Sequence, residues 1–172
     1  NLYIPSTVRW TQDGAQVSLT QKSVYPFDSH IEFQLQSSPQ RDFTLNFRIP
    51  SWAEGASLSV NGKRIQDSPV PGSFAAVRRE WKTGDHMDLD LPLTKRLEPI
   101  DPRHANTVAL LAGPLVLFSV GESSSAVARQ QLLSATKTGR SSWQAGSAAT
   151  PLTLLPFTAI ADEQYSTYLL VS

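Results

Sequence analysis

Asp88 and Asp90 form the obvious carboxylate pair in this 172-residue chain. Hydrolysis of a glycosidic bond takes two such groups held about 5 to 9.5 Å apart, one as acid and one as base or nucleophile. Here the pair alternates with Met87, Leu89 and Leu91, which puts both carboxylates on the outward side of a strand. A solvated sheet face is therefore the stronger reading. Asp28, Asp101, Asp162 and Glu163 fall in turn-like sequence near Pro, Ser or Ala, where short acidic side chains cap turns. The three histidines, His30, His86 and His104, are far apart and lack the short spacings of a metal site. His86, in Gly84-Asp85-His86-Met87-Asp88, reads equally well as a turn running into a strand. Gly121-Glu122-Ser123-Ser124-Ser125 lacks the second glycine of a serine-nucleophile elbow. No phosphate-cradling glycine loop occurs. The sequence thus predicts no catalytic, metal-binding or cofactor-binding residue.

The aromatic side chains offer a different chemistry, that of stacking against sugar rings. Trp10, Trp52, Trp81 and Trp143 are the candidates. Tryptophans at strand ends more often plug a sandwich core than bind a ligand. Trp10 and Trp81 are accordingly assigned to the core, and Trp52 stands equally between core and interface. Trp143, in a Ser/Gly-rich stretch, is the best candidate for an exposed aromatic in contact with carbohydrate.

The elements that must hold these residues are strands. Ile31, Phe33 and Leu35 alternate with polar residues, as do Phe43, Leu45, Phe47 and Ile49, and again Met87, Leu89 and Leu91. Val17-Ser18-Leu19 and Leu58-Ser59-Val60 are shorter instances. Period-two alternation means a sheet with one dry and one wet side. Asp13-Gly14, Asn61-Gly62 and Thr83-Gly84-Asp85 separate the runs, and Asn-Gly is a strong two-residue hairpin signal. Many of the twelve prolines mark run ends, where a missing N–H breaks no ladder. Val108 to Leu111 and Leu115 to Val120, apolar on successive positions, read as strands buried on both faces around a Gly113-Pro114 turn. Tyr165 to Val171 reads as a last strand. The expectation is an all-β, antiparallel, jelly-roll-like β-sandwich, with at most one short helix near residues 126–133. It spans 1–172 as a single module with a weak sub-boundary near 99–105. A flexible Ser/Ala/Gln-rich loop covers about 123–150.

Composition narrows the function classes. Lys+Arg and Asp+Glu both number 15, so the net charge is zero. Without a basic stripe there is no field to attract nucleic acid. The longest apolar runs fall far short of the ~20 residues of a membrane helix, so no membrane partner is expected. Cysteine is absent, which excludes disulfides, thiolate metal sites and cysteine nucleophiles. The compartment stays open. The chain opens on the strand-like Asn1-Leu2-Tyr3-Ile4 without an initiator Met or a signal-peptide layout, so it is expected to be a piece of a longer protein.

As a set, several motifs resemble a known family. They are Asn1-Leu2-Tyr3-Ile4-Pro5-Ser6, Leu19-Thr20-Gln21, Tyr25-Pro26-Phe27-Asp28, Phe47-Arg48-Ile49-Pro50-Ser51-Trp52-Ala53, Val60-Asn61-Gly62, Trp81-Lys82-Thr83-Gly84-Asp85 and Leu111-Ala112-Gly113-Pro114-Leu115-Val116. The closing Pro156-Phe157-Thr158 with Asp162 and Tyr165 through Tyr168 continues the series. Their order resembles the C-terminal β-sandwich region of glycoside hydrolase family 127, the β-L-arabinofuranosidase-like proteins. The resemblance implies a catalytic (α/α) barrel upstream, carrying a glutamate and the cysteines that act as nucleophile and bind zinc. None of these carries over to a chain without cysteine.

The resulting expectation is a non-catalytic accessory sandwich that packs on and stabilises the barrel of the same parent chain. The alternative is a carbohydrate-binding module with exposed aromatics, and an independent enzyme is the least supported. Docking on the barrel would draw on the N-terminal segment and the Pro50-Ser51-Trp52-Ala53 loop, with Tyr3 and Trp52 as interface residues.

Overall fold

The computed structural model describes residues 3–65, 69–121, 126–147 and 150–172. The chain divides into two compact units, residues 1–93 and 94–172. The boundary falls just before the weak one expected near 99–105, a stretch that lies inside the second unit.

In the first unit, the strands are β1 (Ser6–Gln12), β2 (Ala15–Ser23), β3 (His30–Ser38), β4 (Arg41–Arg48), β5 (Ser57–Val60), β6 (Lys63–Arg64), β7 (Phe74–Trp81) and β8 (His86–Asp90). Six of them form an antiparallel sheet in the order β1-β2-β3-β8-β5-β6, while β4 and β7 form a two-stranded sheet of their own. The Asn61-Gly62 turn closes the β5–β6 hairpin with φ of 52° and 76°, the paired left-handed conformation that two-residue hairpins select. The predicted alternation sets the faces. Ile31, Phe33 and Leu35 of β3 and Met87 and Leu89 of β8 turn inward, where Phe47 of β4 and Trp81 of β7 meet them in one core. Phe33 and Phe47 touch edge-on, with ring centroids 5.1 Å apart. The Trp81 indole N–H donates to the Phe43 carbonyl at 2.9 Å, so its polar end is satisfied inside the core. The first unit is therefore a sandwich of unequal sheets.

The second unit holds β9 (Lys95–Pro99), β10 (Thr107–Ala112), β11 (Leu115–Val120), α1 (Arg129–Leu133), β12 (Thr136–Gly139), β13 (Ser142–Gly146), β14 (Pro151–Pro156), β15 (Tyr165–Ser166) and β16 (Leu169–Leu170). One antiparallel sheet runs β12-β13-β14-β11-β10-β16, with β9 also paired to β10 and β15 to β11. Val108 to Ala112 are buried without interruption, as a strand covered on both faces requires, whereas β11 alternates. The short helix falls where it was expected, and Leu132 anchors it. Two expectations are corrected here. The stretch read as a flexible loop over 123–150 contains α1, β12 and β13, while residues 122–125 and 148–149 lie outside the described residues. The terminal strand is broken into β15 and β16.

Candidate functional site

The polar side chains singled out in the sequence are spread over surfaces. Asp88 and Asp90 lie on the outer face of the six-stranded sheet, opposite Glu32 and His30 of β3 and Ser59 and Ser57 of β5. There Asp88 stands 3.4 Å from His30 Nε2. Glu32 stands 3.5 Å from Lys22 Nζ and accepts a hydrogen bond from Gln34 Nε2 at 2.6 Å. These groups pair across strands as a wet sheet face does. His104 sits 2.8 Å from the Asp101 carboxylate in an exposed turn of the second unit. The His104 hydrogen bond, joined by the N–H groups of Arg103 and His104, holds the Asp101 carboxyl below its ordinary value. Among the described residues, no three His, Cys, Asp or Glu side chains are grouped to hold a metal.

Among the described residues the buried carboxylate is Asp85, which in the sequence stands only as part of a turn motif. Its side chain accepts from Asn61 Nδ2 at 2.8 Å and from the Lys82 N–H at 3.0 Å, with Arg79 3.8 Å away. Burial pushes its carboxyl up, but those donors and the Arg79 and Lys82 charges outweigh burial and hold the pKa below 3.8. Asn61 in turn accepts the His86 N–H at 3.0 Å. The motifs Val60-Asn61-Gly62 and Trp81-Lys82-Thr83-Gly84-Asp85 are thus two halves of one clamp, which fixes the β5–β6 hairpin to the start of β8.

Tyr3 is only 6% exposed and belongs to the core, not to an open surface. Its hydroxyl donates to the Arg48 carbonyl, its own carbonyl accepts from Ser23 Oγ, and its ring lies edge-on to Tyr25 and Phe33. Burial pushes its hydroxyl up to about 12. Tyr3 nonetheless lines a shallow cavity of about 190 Å³ with Leu19, Leu45, Phe47 and Phe74, so apolar surface does open beside it. Trp52 is half-buried against the same core.

Trp143 is corrected outright. It lies in β13, 4% exposed, with Lys137 Nζ 5.6 Å above its ring. Trp143 points inward with Ala145, and the small residues around it had hidden the strand. The exposed aromatics among the described residues of the second unit are instead Phe157, Tyr165 and Tyr168, at 62%, 47% and 41%, and the first two form a three-ring cluster with Phe118. Both belong to the closing motif quoted from the sequence. Their rings meet at 82°, edge to face.

The sequence pattern described as "Beta-L-arabinofuranosidase, GH127 middle domain" matches residues 1–93. No curated protein matches the chain. In fold, it is similar to a GH127 β-L-arabinofuranosidase from Geobacillus stearothermophilus T6, with a TM-score of 0.80 and 21% identity, over 99% of this chain and 33% of that one. A protein described as a glycoside hydrolase gives 0.77 and 20%, over 100% and 35% of the two chains. A GH127 β-arabinofuranosidase gives 0.73 and 22%, over 100% and 34%. The chain spans about a third of the length of these structures. With the middle-domain pattern matched over more than half of its residues, the chain belongs to glycoside hydrolase family 127.

Proposed function

We propose that this chain is a non-catalytic accessory β-sandwich region of a larger glycoside hydrolase, one that packs on and stabilises an (α/α) barrel catalytic domain of the same parent protein. The observation that carries the reading is its extent: a matched middle domain, in a chain about one third as long as the enzymes it resembles in fold. The polar groups support it, since Asp88 and Glu32 are engaged in cross-strand pairs and Asp85 in a structural clamp. Trp52, half-buried in the turn that follows β4, is the candidate contact with the barrel. Glycan binding through exposed aromatics is not adopted. Trp143 is in the core, and the Phe157 and Tyr165 rings stand at 82° to each other, so the two do not share one stacking plane.

Two measurements test the reading. The 172-residue chain should release no aryl group from aryl arabinofuranosides, and release that disappears in Asp88→Asn or Asp90→Asn would make it an enzyme. In the parent enzyme, removing this region should lower the melting temperature of the barrel. An unchanged melting curve would refute the packing role.

A further inference from the structure

The outer face of the six-stranded sheet carries a second feature at its β1–β3 corner. Over most of this face polar side chains satisfy one another: Thr7 with Thr20 at 3.1 Å, Gln16 with Thr11 at 3.1 Å, Lys22 and Gln34 with Glu32, and His30 with Asp88. At the corner they do not. Arg9, Ser18 and Gln36 stand side by side on β1, β2 and β3, register partners across two ladders. None of the three, nor Ser38, engages a side-chain partner among the described residues. They line an open groove of about 520 Å³, together with Gln16 and Thr83. One wall is fixed in advance. Thr83 Oγ1 donates to the Ser37 carbonyl and accepts the Ser37 N–H, both at 3.0 Å, which ties the β7–β8 turn to β3.

The lining selects the ligand class. It has no carboxylate for a metal ion and no aromatic side chain, and its one apolar member, Val17, is 2% exposed and offers too little surface for a lipid. A single guanidinium, in a chain of zero net charge, is too little for a nucleic acid backbone. What it offers is a row of amide, hydroxyl and guanidinium groups, roughly 4.8 Å apart from strand to strand. Such a row can donate to and accept from the adjacent hydroxyls of a neutral sugar chain laid across the strands. A rigid wall lowers the ordering cost of binding. We propose that this groove is a surface binding site for a neutral oligosaccharide.

Affinity electrophoresis of the 172-residue chain tests this, in gels containing soluble arabinan or arabinoxylan as neutral probes and polygalacturonate as an acidic one. Retardation by a neutral polysaccharide is expected. It should weaken about tenfold or more, roughly 1.4 kcal/mol, in the double variant Arg9→Ala/Gln36→Ala. Both side chains are exposed, so the variant should keep its melting curve. Tyr165→Ala should bind as the parent sequence does. No retardation in either neutral gel, retardation by polygalacturonate alone, or retardation that survives the double variant overturns the proposal. None of these outcomes bears on the packing role, which is read from the melting of the parent enzyme.

Discussion

Tyr3 gives a sharp test of how the N-terminal segment is held, because its ring and its hydroxyl do separable work. Tyr3→Phe keeps the edge-on contacts to Tyr25 and Phe33, with centroids 6.1 Å away in each case, and removes only the hydrogen bond to the Arg48 carbonyl. Losing that bond should cost about 1–2 kcal/mol. Tyr3→Ala loses the ring as well and should cost about 3–5 kcal/mol. In a unit of this size each kcal/mol moves the melting temperature by about 4–8 °C. Alkaline titration adds an independent readout. The hydroxyl's folded-state pKa of about 12 lies above the ordinary 10.0, so its contribution is complete below pH 10 and is lost as pH rises through 12. Two pH units correspond to about 2–3 kcal/mol. Phenylalanine at this position titrates nothing, and the half-buried Tyr25, also raised by burial, is common to both proteins. In denaturant titrations, then, the parent sequence should be the more stable at pH 8 and the less stable near pH 12. Curves that stay parallel across that range, or a Tyr3→Ala variant within about 0.5 kcal/mol of the parent sequence, would refute the burial argument.

Other consequences follow from the same geometry. Phe47→Ala, which empties a place in the first unit's core, should cost about 3–5 kcal/mol in a denaturant titration, while Asn46→Ala on the exposed side of β4 should stay within about 0.5 kcal/mol. Asp85→Ala leaves the Asn61 amide and the Lys82 N–H without their acceptor and should cost about 1–3 kcal/mol at pH 7. Because the Asp85 carboxyl lies below its ordinary 3.8, that stabilisation is full above this value and is lost as pH falls through the folded-state pKa, so Asp85→Asn should flatten the acid limb of the stability curve. In the second unit, Ser119 Oγ is buried and has no hydrogen-bond partner among the described residues, so Ser119→Ala should be neutral or slightly stabilising by thermal melting.

Much of the first unit is legible in the sequence, for a physical reason. Large apolar residues alternate there with charged ones, so the contrast that names the inward face at Ile31, Phe33 and Leu35 is strong, and Asn61-Gly62 closes its hairpin with a turn that few other dipeptides can make. In the second unit the contrast fades. Around Trp143 the strand is spelled Ser-Trp-Gln-Ala-Gly, and a small residue says little about which face is dry, so a hairpin passes for a loop. Tyr3 fails differently. A phenol suits a rim or a core equally, and only the Arg48 carbonyl, 45 positions away, decides. The groove was out of reach of pattern reading, because Arg9, Ser18 and Gln36 become neighbours through two ladders and look like any polar residues on a wet face.

The strand order of the six-stranded sheet also governs how the first unit can be made. β8 lies at the centre, between β3 and β5, yet of the six it is the last to be synthesised. Until residues 86–90 leave the ribosome, β3 has an open edge, and Ile31, Phe33 and Leu35 lack Met87 and Leu89 beside them. The nascent chain therefore carries a sticky half-sheet through most of the unit's synthesis, a state that invites pairing between neighbouring chains. Fragments ending before His86 should be recovered as aggregates, and the shortest chain of this unit to stay in solution should be one that reaches Leu91.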